Sequence, residues 1–117
     1  MPGVRESQRE SKEKQVTEIT ERQFQRQVTE LARTLGWRVY SIPDSRKSTE
    51  SGYPDLTVWH PTHHLMFFAE LKAERGRLSS NQILVLDELR QSGQTVYVWR
   101  PSDWEQVQTV LNERKRK

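Results

Sequence analysis

Apolar positions along this chain follow two rhythms, one helical and one extended. Phe24, Val28, Leu31 and Leu35 recur at i, i+4, i+7 and i+11, the stripe of an amphipathic helix. Thr20-Glu21-Arg22-Gln23 opens it as a capping box, and Gly36 closes it. Three extended segments follow: Trp37 to Ile42, Asp55 to Trp59 and Leu65 to Ala73. The third is apolar enough to be central in a sheet. Between the first two lies a polar loop from Pro43 to Gly52, and His60-Pro61-Thr62-His63-His64 forms the turn after the second. A second capping box, Ser79-Ser80-Asn81-Gln82, opens a helix with Leu78 and Ile83 placed as a hydrophobic staple. Ile83, Leu86 and Leu89 are its expected buried stripe, ending at Gly93. Thr95 to Trp99 reads as a fourth strand, and Trp104, Val107, Val110 and Leu111 mark a last helix. The order α-β-β-β-α-β-α predicts an α/β fold. Its mixed four-stranded sheet is flanked by helices, with a parallel crossover between strands three and four.

Composition divides the 117 residues unevenly. Residues 1–17 hold almost nothing apolar and mix Arg, Lys and Glu, so a disordered or loosely helical arm is expected. Residues 18–112 form the predicted domain, and 113–117 a basic tail. The net charge of +3 permits nucleic-acid binding without requiring it. No cysteine is present, which excludes disulfides and thiolate metal sites. No apolar leader or membrane-length segment is seen, so a cytoplasmic protein is expected.

Two carboxylates stand out against this background. Glu-x-Lys occurs three times, but only Glu70-Leu71-Lys72 lies in an apolar strand rather than a charged terminus. At i and i+2, Glu70 and Lys72 share one sheet face, and both charges there need a partner or a metal. Pro-Asp occurs twice, and only Pro54-Asp55 leads into a strand; Asp44 reads as a loop residue. A hairpin turning near residues 62 and 63 brings Asp55 opposite Glu70, a repulsive pair that a bound cation would relieve. His60, His63 and His64 fall at the far end of that hairpin and read as surface turn residues. Trp37, Trp59, Trp99 and Trp104 sit in apolar patterns and read as core.

Taken in order, Gly52-Tyr53-Pro54-Asp55-Leu56, Glu70-Leu71-Lys72, Gly76-Arg77-Leu78-Ser79-Ser80-Asn81-Gln82 and Gly93 resemble the virus-type replication-repair nuclease (VRR-NUC) domain. That family belongs to the PD-(D/E)XK phosphodiesterase superfamily, and the likeness spans roughly residues 20 to 100. It implies a restriction-endonuclease-like αβββαβ core and a Mg²⁺- or Mn²⁺-dependent DNA endonuclease of replication, recombination or repair. Asp55, Glu70, the backbone carbonyl of Leu71 and Glu21 would ligate metal, with Lys72 and Gln82 completing the catalytic set. First-turn dipole pairing for Glu21 and helix capping for Gln82 remain the structural alternatives. Arg46, Lys47, Arg75 and Arg77 flank the site, and Arg114, Lys115, Arg116 and Lys117 form the tail; all are assigned to DNA phosphates. Structure selectivity for junctions or flaps, a homodimer and a phage origin are further expectations from the resemblance. A catalytically silent nucleic-acid-binding module and a small structural subunit are the rivals.

Overall fold

A computed structural model describes residues 18–43 and 52–114. The expected arm at 1–17, Arg46, Lys47, Lys115, Arg116 and Lys117 lie outside the described residues. The elements run α1 (Glu21–Thr34), β1 (Arg38–Ser41), β2 (Leu56–His60), β3 (Leu65–Leu71), α2 (Ser80–Gln91), β4 (Val96–Trp99), a 3₁₀ turn (Pro101–Asp103) and α3 (Trp104–Leu111). The sheet order is β1-β2-β3-β4. The first two pairings are antiparallel and β3–β4 is parallel, as the helical crossover requires. Among the described residues no helix is long and apolar enough to cross a membrane.

Alternation along the strands divides the core between two faces. Leu56, Val58, Phe67, Ala69, Leu71 and Trp99 meet Phe24, Val28 and Ala32 of α1 and Val107, Val110 and Leu111 of α3. On the opposite face Phe68 and Val96 pack against Leu86, with Leu78, Leu89 and Val98 at the margin. Both capping boxes form, at Thr20–Gln23 and Ser79–Gln82, satisfying amides that a helix start leaves without partners.

Three expectations are corrected. Ile83 is 48% exposed, because α2 turns Gln82, Val85, Leu86 and Leu89 inward, with only Leu86 fully buried. Trp59 is 39% exposed rather than core, because α2 covers only the β3–β4 half of its face. His60 is a buried strand residue. Its Nε2 lies 3.1 Å from the Leu35 carbonyl, and its Nδ1 accepts from the His63 amide. It thereby ties the end of α1 to the β2–β3 turn. Gly36, at φ +92°, leaves the space: a Cβ there would fall 2.8 Å from His60 Nε2. Trp37 and Trp99 are core as expected, their indole N–H groups donating to the Leu111 carbonyl and Gln106 Oε1. Trp104 is partly buried against the same core.

Candidate active site

The β2–β3 register pairs Leu56 with Ala69, so one step further places Asp55 beside Glu70, as the hairpin count predicts. Asp55 is held from both sides. Its carbonyl accepts the Ile42 amide at 3.3 Å, and its Oδ2 accepts the Leu71 amide at 2.8 Å. Leu71 therefore enters the site through its backbone, while its side chain is core. The approach to Asp55 depends on Gly52, at φ +84°, where a Cβ would lie 2.6 Å from the Asn81 carbonyl oxygen. Only glycine lets this loop press against the first turn of α2. Pro54 behind it is fully buried.

Glu70 is 1% exposed. Its Oε2 accepts a hydrogen bond from Gln82 Nε2 at 3.0 Å and lies 3.7 Å from Lys72 Nζ. Its Oε1 is buried with no hydrogen-bond partner. Gln82 caps α2 and reaches Glu70 with one amide. Its oxygen accepts the Ser79 backbone N–H at 2.9 Å, which caps α2 and leaves the nitrogen facing Glu70.

Burial, and then the charge of Asp55, push the Glu70 pKa up to about 8. Lys72 pulls the other way without cancelling them, while a side-chain hydrogen bond to Asp55 and the charge of Glu21 raise it further. That hydrogen bond exists only when one of the two carboxyls carries a proton. At neutral pH the protein therefore holds a proton where two ionised carboxylates would repel.

A cleft of about 110 Å³ gathers Glu21, Asp55, Glu70, Lys72 and Gln82, with Tyr53 and Ile42 at its walls. Five residues drawn from α1, the β2 entry, β3 and α2 thus meet at one place. Among the described residues no group of three acidic or histidine side chains is arranged as a ready-made metal cage. Glu21 borders the cleft without completing one. The donor set is nonetheless hard oxygen, and the unpartnered Glu70 Oε1 is the atom a divalent cation would satisfy.

Sequence reading missed Tyr53 and Ile42 as walls of this cleft. It also missed Arg100, which donates to the Gly76 carbonyl at 2.8 Å and ties down the loop after β3. Nothing in the local pattern around Pro101 announces that contact. Arg75 pairs with Glu18 at 3.4 Å on the surface, and Arg77 and Arg114 are exposed. A larger groove of about 570 Å³ runs along α1 past Arg22, Arg26 and Arg33, bordered by Ser41 at the end of β1, and reaches Glu21. Among the described residues it holds no buried carboxylate pair, which the smaller cleft does.

The family model for the VRR-NUC domain matches residues 6–103. The chain belongs to the VRR-NUC family. The match begins within the polar segment that composition sets apart at 1–17. A solved VRR-NUC domain is 26% identical, with a TM-score of 0.64, over 81% of this chain and 98% of the other. No curated protein matches the chain. The VRR-NUC sheet and its flanking helices are those expected from the sequence order.

Proposed function

We propose that this VRR-NUC domain is a Mg²⁺- or Mn²⁺-dependent endonuclease that hydrolyses DNA phosphodiester bonds, selecting branched structures such as flaps or junctions. The observation that carries the reading is the buried Asp55–Glu70 pair, with one oxygen unpartnered and Lys72 and Gln82 converging on the other. Two carboxyls held together under desolvation repel once both are ionised, a conflict that a divalent cation would relieve. Asp55 and Glu70 would hold the metal, with the Leu71 carbonyl beside them and Glu21 acting directly or through water. When bound there, the cation would polarise a phosphoryl oxygen and lower the pKa of a water.

The protein's own groups supply the rest. The Leu71 amide fixes the orientation of Asp55, and the Gln82 amide fixes that of Glu70. Lys72, on the same face as Glu70, brings a positive charge toward the phosphate where negative charge grows in the transition state. Arg75, Arg77 and Arg114, with Arg46, Lys47, Lys115, Arg116 and Lys117, provide phosphate affinity. A domain this small cuts two strands symmetrically only as a pair, so a homodimer is part of the proposal.

Cleavage of linear duplex, flap and four-way junction with Mg²⁺ or Mn²⁺ tests the reading, with light scattering for the dimer. Activity should require the metal and favour a branched substrate. Asp55→Asn and Glu70→Gln should abolish cleavage while retaining DNA binding. Wild-type cleavage by Glu70→Gln would remove the site, and binding without any cleavage would favour the silent module.

A further inference from the structure

Met66, Phe68 and Glu70 of β3, with Lys72 just beyond it, alternate onto one face of the sheet, so the proposed catalytic side chains share it with residues outside the chemistry. The β3–β4 half of this face is covered by α2. On the other half, the register places Arg38 opposite Trp59, Trp59 opposite Met66, and Tyr40 opposite Thr57. Tyr40 is 50% exposed and Met66 53%, and Trp59 stands between them. Tyr40 and Trp59 lie on adjacent strands as diagonal neighbours, within reach of one another.

This surface continues into the cleft. Tyr53, itself a wall of the cleft and 40% exposed, packs edge-on against Phe68 with ring centroids 6.2 Å apart. The four residue steps from Glu70 to Met66 span about 13 Å of strand. Rings set along such a distance suit successive unpaired bases, because every base offers a π-face and an aromatic side chain needs no particular sequence. Arg38, exposed and without a partner among the described residues, adds the positive charge that a phosphate backbone needs.

We propose that Tyr53, Tyr40 and Trp59, with Met66 and Arg38, form a stacking track for single-stranded DNA leading out of the catalytic cleft. The identity of this ligand rests on the nuclease reading, which the track deepens. A paired arm would lie against the basic loops while an unpaired strand crossed the sheet face, giving a physical origin for selection of branched substrates.

The test is equilibrium binding in EDTA, where no cleavage occurs, using fluorescently labelled oligo-dT and a blunt duplex of equal length. The double variant Tyr40→Leu plus Trp59→Leu keeps apolar surface and removes both rings. Its oligo-dT affinity should fall roughly 10- to 100-fold, with a loss of about threefold or less for duplex. Trp59→Tyr, which restores a ring, should recover most of the missing affinity when introduced in place of Trp59→Leu. That recovery separates stacking from damage to the fold. Unchanged oligo-dT affinity in the double variant would overturn the track. So would a wild-type dimer that the double variant dissociates with no change in oligo-dT affinity, because the face would then belong to a second copy of the chain. Wild-type cleavage by Glu70→Gln would end the nuclease reading and leave this binding result standing, so the two failures are distinguishable.

Discussion

Replacing Glu70 with glutamine should make the metal-free protein more stable in alkaline solution, and the size of the gain can be worked from the site. The unfolded chain releases the Glu70 proton near 4.5, while the folded protein keeps it to about 8. Between those values the unfolded state binds fewer protons, so wild-type stability falls as pH rises. Below the lower value both states are protonated and the penalty vanishes. At about 1.4 kcal/mol for each pH unit, the ceiling on the loss is about 5 kcal/mol. Relaxation of protein and water around the ionised pair lowers this, and about 2–3 kcal/mol is the expected measurement. Against a typical domain stability of about 5–15 kcal/mol, that is a large fraction. A glutamine retains the shape, can still accept from Gln82, and brings no second negative charge beside Asp55. Urea denaturation in EDTA from pH 5 to 9 reads the difference directly. Wild type should lose stability through this window and Glu70→Gln should stay nearly flat. Adding Mg²⁺ at pH 8.5 should restore wild type and leave the variant unmoved. Parallel curves for the two proteins in EDTA would refute the shared-proton account of the apo site.

Other outcomes follow from neighbouring groups. Ser79→Ala should cost about 1 kcal/mol of stability by removing the helix cap. Gln82→Ala should show a similar stability loss and also reduce cleavage, since Glu70 loses its donor; melting and single-turnover rates separate the two effects. Gly52→Ala should destabilise by at least about 1–2 kcal/mol from its left-handed backbone alone, before the clash with Asn81, as read by urea unfolding. Lys72→Ala should leave DNA affinity nearly unchanged and lower the single-turnover rate at least 10-fold, about 1.4 kcal/mol or more in barrier. Deleting residues 114–117 should flatten the log-affinity against log-salt slope by about 0.9 for each phosphate the tail no longer neutralises, with saturated cleavage unaffected.

The element order, the mixed sheet and the hairpin register were legible in the chain because local patterns mark them. Alternation marked each strand, two capping boxes marked helix starts, and counting across the His60–His64 turn aligned Asp55 with Glu70. The cap by Gln82 was recognisable from the Ser79–Gln82 box, and its bond to Glu70 uses the other end of the same amide. What escaped depends on how much of a face a distant element covers. Trp59 has the same alternating neighbours as a buried strand residue, and only the width of α2 decides that it meets water. Ile83 fits a helical stripe whose rotation is set by tertiary packing. His60 looks like part of a turn until Gly36 is seen to leave room for its ring. Arg100 bonds to Gly76 across 24 residues, a distance at which periodicity carries no information.

The hydrogen bonds of Gln82 have a kinetic implication. The first turn of α2 is held by the same side chain that orients Glu70, so a helix end that frays cannot leave the carboxylate in place. Opening of that turn and loss of the organised cleft should be one event, seen as a common rate for amide exchange at Gln82 and for disorder at Glu70. Helix ends ordinarily fray more readily than the interior. Here such fraying would act as a local open–closed equilibrium for the cleft. DNA pressed against the loop at Gly52, which lies close against Asn81 in that turn and Val85 in the next, would hold the helix start closed and bias the equilibrium toward the ordered state.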